Sequence, residues 1–387
     1  MKNERKLGVV VSVTIILTAA MTFMATSFFY ALVLKVRSTA SFPGSEKIFE
    51  VLTLLDRHYY YEVDKETLID SALDHMLESL GDPYTTYMDA EEYEQFMSYI
   101  TGTYYGIGSV VLWDNEMGAV IIVKPFDGSP AQKAGIEKGD RILKIDGEDV
   151  STTDLDGAVA KMRGEKGTPV RLTVLKANTS EEVEVDVIRD EIHIPSVEHE
   201  MKGDIGYIAI STFDPQTGAD FKKALVEVVA SGAKGVIIDL RDNGGGLVNS
   251  VTEVANSLLD SGEMIFYTQN KQGKKIEYKS VGKGVGVPIA VLVNENSASA
   301  SELLAGALRD NLKAPIIGKN TFGKGVVQGT YPLSDSSVVK LTTEKYFTPN
   351  GYDINEKGLE PDYDVELKST EDEQLQLAIE VLKTKLE

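Results

Sequence analysis

Cysteine is absent from the 387-residue chain, which excludes disulfides and thiolate-held metals and leaves the compartment open. Histidine is scarce. The four residues, at 58, 75, 193 and 199, have no metal-ligand spacing, and none sits in the glycine-rich or turn-rich context that suits the base of a Ser-His-Asp triad. Each is expected on a helix face or a strand. Positive charge is also short, with 39 Lys and Arg against 60 Asp and Glu and a net charge of −21. That balance argues against nucleic acid as a partner, and against binding an anionic membrane through a basic patch. No internal repeat or low-complexity segment is present. What remains, 42% apolar and 26% charged, is ordinary globular composition, long enough for two or three domains.

One apolar run stands apart. Residues 7–34 carry no charged side chain and follow Lys2, Arg5 and Lys6, a stretch longer than the roughly 20 residues that cross a bilayer. The alternative is a cleaved signal peptide, whose apolar core spans about 7–15 residues and ends at a small-x-small site. Here the run continues through Phe28, Phe29 and Tyr30 to Leu34, so an uncleaved anchor is expected. The charge bias places the N-terminus in the cytoplasm and everything after about residue 38 outside, despite Lys35 and Arg37. From Ser45 to Ile100 the pattern reads as helical. Asp64 suits the cap of a helix bearing Leu68, Ile69, Ala72, Leu73, Met76 and Leu77, Gly81-Asp82-Pro83 stops it, and Asp89 to Glu92 reads as a capping box.

Residues 101–190 show short strands and turns. Consecutive amides around Tyr105, Gly106, Ile107 and Gly108 can cradle a carboxylate, and a strand beginning near Ser109 offers an edge to an extended peptide. Beyond Glu191 strands and helices alternate. Ile205–Ile210 and Gly235–Leu240 read as strands, the second suited to full burial; Asp220–Ser231 reads as a helix with Phe221, Leu225 and Val228 on its apolar face. Arg241-Asp-Asn-Gly-Gly-Gly246 resembles a phosphate cradle but lacks the Lys-Ser/Thr ending of a P-loop. Residues 372–387 read as an amphipathic helix.

The candidate chemistry lies between Asn296 and Gly329. A serine-rich turn runs into apolar spacing at Ala300, Leu303, Leu304, Ala307 and Leu308, which puts Ser299 at or near a helix N-terminus, where free N–H groups and the dipole favour an alkoxide and an oxyanion. A plain N-cap is the other reading of Ser299. Lys324 lies between two glycines with Gln328 four residues on, an offset that points both side chains the same way on a helix or on a strand. A lysine serves as base to a serine only when neutral, so its pKa must fall from about 10.4, as burial achieves. The alternative is a solvated loop lysine.

Ser299 in Ser-Ala-Ser-Ala-Ser-Glu, Lys324 in Phe-Gly-Lys-Gly, and Gln328, at this separation, resemble the Ser-Lys-Gln catalytic set of the carboxyl-terminal processing (tail-specific) proteases, the S41-type serine peptidases that carry a PDZ domain. Gly81–Met88, the PDZ-like block Ser129–Gly147, the turn Lys161–Thr168, the block around Arg241 and the closing block Phe347–Asp362 are similar to that family as well. The resemblance implies an α/β multidomain protein: cytoplasmic residues 1–6, transmembrane anchor 7–34, N-terminal helical arm 45–100, β-rich PDZ domain 101–190, α/β protease core of the ClpP/crotonase-like type 191–370, and C-terminal helix 371–387. It implies an endopeptidase acting on extracytoplasmic proteins, with Ser299 as nucleophile, Lys324 as base, Gln328 orienting the lysine, and backbone amides of Gly245 and Ala300 forming the oxyanion hole. It further implies a PDZ loop at Tyr105–Gly108 that holds free, apolar C-termini, Arg163 reporting peptide occupancy, a homodimer, and neither metal nor organic cofactor. Two other classes stay open: a non-catalytic membrane-anchored PDZ scaffold, and a lyase or hydratase on a related core.

Overall fold

The computed structural model describes residues 43–368 and 371–386; the expected anchor at 7–34 lies outside them. Among the described residues no helix is long and apolar enough to cross a membrane. The chain divides into two compact units, parted between Ala72 and Leu73. The first contains α1 (Ser45–His58) and the opening of α2 (Lys65–Glu78). Asp64 caps α2 by accepting the amides of Glu66 and Thr67, while Ile48, Phe49, Val51 and Leu54 of α1 are exposed.

The second unit begins within α2. The helical arm expected over 45–100 is interrupted, because Thr86–Met88 forms strand β1 ahead of helix α3 (Ala90–Thr101). Three residues with Tyr87 and Met88 buried have no helical period to satisfy, and a distant strand gives them a pairing partner. The α3 capping box is complete: Asp89 N–H donates to Glu92 and Glu92 N–H donates to Asp89, at 3.0 and 2.8 Å.

Strand β2 (Thr103–Gly106) pairs with β9 (Asp190–His193) as a separate ribbon. Between them lie β3 (Ser109–Asp114), β4 (Ala119–Pro125), β5 (Arg141–Ile145), β6 (Glu148–Asp149), β7 (Pro169–Leu175) and β8 (Glu182–Ile188), with helices α4 (Pro130–Lys133) and α5 (Leu155–Met162). Their antiparallel sheet runs β3-β4-β5-β7-β8, which leaves β3 at the edge. Alternate residues such as Ile122, Ile142 and Leu172 close its core.

The remaining chain builds a central sheet from β10 (Val197–Lys202), β11 (Ile205–Ile210), β12 (Gly235–Asp239), β15 (Ile289–Val293), β16 (Ile316–Gly318) and β19 (Tyr363–Asp364), in that order. Only the β10–β11 pair is antiparallel. Helices α6 (Thr217–Ala230), α7 (Val248–Leu258) and α8 (Ala300–Leu312) share a core with Ile208, Val236, Ile238, Val291 and Ile316. Helix α9 (Glu373–Leu386) covers the opposite face, over Ile205, Ile237, Ala290, Leu292 and Ile317. Covered on both sides, β12 and β15 read as unbroken apolar runs. Helix α6 starts three residues before the expected Asp220, because Asp214 accepts the amides of Gln216 and Thr217.

A second, antiparallel sheet comes from β13 (Met264–Asn270), β14 (Lys275–Lys279), β17 (Val326–Pro332) and β18 (Val338–Phe347). β18 pairs with β1, β13 and β17. The arm segment thus joins the sheet that carries the end of the Lys324 loop.

Candidate active site

Three loops at the carboxyl ends of parallel strands meet: residues 241–247 after β12, 294–299 after β15 and 319–325 after β16. The crevice outside such strand ends is where open α/β sheets place ligands. Asn243, fully buried, laces the first two. Its carbonyl accepts Ala298 N–H and Ser301 Oγ–H, its side-chain amide donates to Ile210 O, and its Oδ1 accepts Gly245 N–H at 2.8 Å. Asp242 adds two acceptor contacts, to Asn294 and Asn296.

Ser299 is the N-cap of α8, at φ 56° and ψ −113°. A non-glycine residue held there costs on the order of 1–3 kcal/mol and persists only where its surroundings overdetermine it. One of those constraints is Glu302, three residues on and wholly buried. Its carboxylate accepts Ser299 N–H at 2.8 Å, Thr321 Oγ–H at 2.5 Å, Gly323 N–H at 2.8 Å and Lys324 N–H at 2.9 Å. A single side chain therefore ties the serine turn to the lysine loop. Burial pushes its carboxyl above the usual range, and these hydrogen bonds pull it back. The spacing Ser-x-x-Glu was the signal for it in the sequence.

Lys324 is half-buried in a loop that is neither helix nor strand. Burial lowers its pKa from the ordinary value, the Lys340 ammonium nearby lowers it further, and Glu302 opposes both. Among the described residues no hydrogen bond joins Lys324 Nζ to Ser299 Oγ; the Nζ stands 5.0 Å from the centroid of the Tyr84 ring. Tyr346, 2% exposed, donates from its phenol to Lys324 O. Burial raises that phenol far above its usual range, the Ser299 hydroxyl working the other way. Tyr84, Asn243, Glu302 and Tyr346 are the site residues that sequence reasoning missed.

Gln328 stands differently from expectation. Equal pointing of Lys324 and Gln328 assumed one regular element, but β17 starts only at Val326 and is bulged between Val327 and Gln328. A bulge resets the alternation. The Gln328 amide donates to Val326 O at 3.4 Å and makes no hydrogen bond to Lys324.

Of the two expected oxyanion donors, the Ala300 amide, in the first turn of α8, has no acceptor among the described residues. The Gly245 amide is engaged by Asn243 Oδ1. Gly245 lies at φ +105°, and a Cβ there would sit 2.8 Å from Ser299 Cβ, so only glycine fits beside the serine.

In the PDZ domain the Ile107 and Gly108 amides, beside edge strand β3, donate to no acceptor among the described residues. Gly106, Ile107 and Gly108 are buried and Tyr105 is exposed. A Cβ on Gly108, at φ +75°, would come within 2.7 Å of Ile192 and Ser129. Arg163, at the end of α5, lays its guanidinium 5.0 Å over the Tyr104 ring.

A cavity of about 960 Å³ opens on the α9 side of the strand ends, lined among others by Tyr207, Asp239, Arg241, Asn294, Lys319 and Glu366, and not by Ser299 or Lys324. Arg241 is bound there by Asp239 and Asp372. Among the described residues no group of three or more His, Asp or Glu is placed to hold a metal ion.

The profile of peptidase family S41 matches residues 204–365, that of the PDZ domain residues 121–176, and that of the N-terminal domain of the activating protease CtpB residues 17–92. The carboxy-terminal processing protease CtpA of Bacillus subtilis is 37% identical over 369 residues, 95% of this chain and 78% of that protein. CtpB of the same organism is 39% identical over 321 residues, 82% of this chain and 66% of its own length. Among solved structures, the photosystem II D1 C-terminal processing protease matches at TM-score 0.51 and 30% identity, covering 86% of this chain and 90% of that one. With a PDZ domain set ahead of an S41 peptidase core, and identity of this extent to a processing protease, the chain belongs to the carboxy-terminal processing proteases of peptidase family S41.

Proposed function

We propose that this serine protease is a membrane-anchored, extracytoplasmic endopeptidase that selects polypeptides by their C-termini and cleaves them with Ser299, Lys324 and Gln328. The observation that carries the reading is the Glu302 clamp, which holds the serine turn and the lysine loop on one carboxylate. In the reaction Lys324, neutral, takes the Ser299 proton as Oγ attacks the scissile carbonyl, then gives it to the leaving amine; the acyl-enzyme is hydrolysed by water activated through the same lysine. The Ala300 amide faces the oxyanion, joined by Gly245 once its N–H leaves Asn243. Gln328 orients the lysine after turning from Val326. Both changes, and closure of the Ser299–Lys324 pair, belong to the step from the present arrangement to the working one.

The open amides of Ile107 and Gly108 and the free edge of β3 support capture of a terminal carboxylate with strand addition. Arg163, stacked on Tyr104 beside that loop, reports occupancy in this reading. Residues 7–34 anchor the chain, and two copies pair through the exposed apolar face of α1. No metal or organic cofactor is invoked. A second reading, a PDZ scaffold without catalysis, is favoured by the missing Ser299–Lys324 hydrogen bond.

The deciding experiment compares the full chain with Ser299→Ala and Lys324→Ala, on an unfolded protein ending in apolar residues and on the same protein with an added Asp-Asp tail. Cleavage by the unaltered chain alone, slowed by the charged tail, supports the assignment. Equal cleavage by all three would remove Ser299 from the chemistry, and retained tail binding without cleavage would favour the scaffold.

A further inference from the structure

The block Gly81–Met88 has no part in the chemistry derived so far, yet it reaches the base. Asp82 accepts the amide of Tyr84 at 3.0 Å and the hydroxyl of Thr85 at 2.7 Å. Thr85 in turn accepts the amide of Thr342 in β18 at 3.1 Å, and β1 pairs with β18 from Thr86 opposite Lys340. These contacts fix the backbone on both sides of Tyr84. Its half-buried ring is thereby presented to Lys324 Nζ at 5.0 Å, within the range of a cation–π contact. Helix α3, which follows β1, holds a second such pair, with Lys340 Nζ 4.7 Å from the centroid of the Phe96 ring.

An aromatic face attracts an ammonium through its quadrupole and offers a neutral amine little. Tyr84 therefore works against the groups that favour the neutral base, namely burial and the Lys340 charge from β18. Glu302 from α8 sides with the ring on Lys324. The charges facing Tyr84 itself are Glu302, Asp82 and Glu356.

We propose that Tyr84 is a resting place for the Lys324 ammonium, a positioning residue that holds the base charged and away from Ser299 until it is released. This rests on Lys324 being the base. Release exchanges a ring contact for a hydrogen bond to Ser299 Oγ and lets the lysine shed its proton to solvent. The arm segment, outside the residues that the peptidase and PDZ profiles match, then sets the threshold at which the site becomes active.

The test replaces Tyr84 in the full chain by phenylalanine, by phenylalanines bearing one or three ring fluorines, and by leucine. Fluorine drains the ring quadrupole with little change of shape, so the series separates attraction from packing. Lys324 is titrated by carbon NMR of labelled lysines in a Ser299→Ala background, its signal identified by loss in Lys324→Ala. The Lys324 titration should fall stepwise with fluorine count, reaching roughly half a unit to one unit for Tyr84→Leu relative to Tyr84→Phe. In the active background the acid limb of kcat/KM should move down by the same amount with KM unchanged. A titration that ignores the fluorines overturns the proposal, and the series decides it even where Tyr84→Leu does not fold. If Lys324→Ala still cleaves, the assignment of the base is overturned instead, a result the NMR titration does not depend on.

Discussion

Glu302 gathers three backbone amides and a hydroxyl around one buried carboxylate, and its loss strands donors that water does not reach. Each buried, unsatisfied donor costs about 1–3 kcal/mol. Glu302→Ala is therefore expected to lose several kcal/mol in urea unfolding and to cut kcat/KM by roughly 100-fold or more through misplacement of Ser299 and Lys324. Gln at 302 keeps the size but turns an N–H₂ toward other donors, and should also be impaired. A Glu302→Gln enzyme of unaltered stability and rate would show that the clamp is incidental. Lys324 carries a prediction of opposite sign. Its folded pKa lies below its unfolded one, so between the two the unfolded state binds more protons and stability rises with pH. Lys324→Met, apolar and similar in length, should be more stable than the unaltered protein near neutrality. That advantage should fade as pH rises through the folded pKa toward the ordinary lysine value. Urea titrations at a series of pH values decide it; a constant difference would mean that the charge is not what burial opposes.

At the scale of elements, the α3 capping box holds the helix that follows β1. Asp89→Ala should cost about 1 kcal/mol, read as a lower melting temperature. Activity should follow, because β1 and Tyr84 lie on the same segment. This box was legible in the sequence, as were the Asp64 cap, the buried run of β12, and the position of Ser299 at the head of α8. Each is announced within a few residues by local chemistry or period. β1, β13 and β14 were not legible. Strands of mixed exposure gain their stability from pairing, β1 and β13 with β18 far along the chain and β14 with β13, and carry no period of their own. The shared pointing expected of Lys324 and Gln328 was not legible for a similar reason: the bulge at Gln328 is set by the register of β17 against β18. In the PDZ domain, Gly108→Ala should disrupt the proposed carboxylate cradle, since its Cβ meets Ile192 and Ser129. Loss of apolar-tail binding in fluorescence titration, with cleavage of an untailed peptide retained, is the expected outcome.

For the molecule as a whole, a net charge of −21 makes a field that repels acidic substrates and attracts basic ones. Salt should shrink that difference. Between about 0.05 and 0.5 M salt, kcat/KM for an acidic peptide should rise and for a basic peptide fall, converging by several-fold. Parallel responses would place the discriminating charges inside the site.

The sequence by itself determined the family, the succession of PDZ and peptidase segments, the serine at a helix N-terminus and a lysine among glycines, because each rests on contiguous residues whose chemistry is local. Tertiary structure alone decided that Glu302 joins the Ser299 and Lys324 loops, that Asn243 holds the Gly245 amide, and that Tyr84 receives the Lys324 ammonium. Those pairings link positions brought together only when the sheets and helices close, and burial, which gives them their strength and moves the lysine's pKa, arises at the same moment.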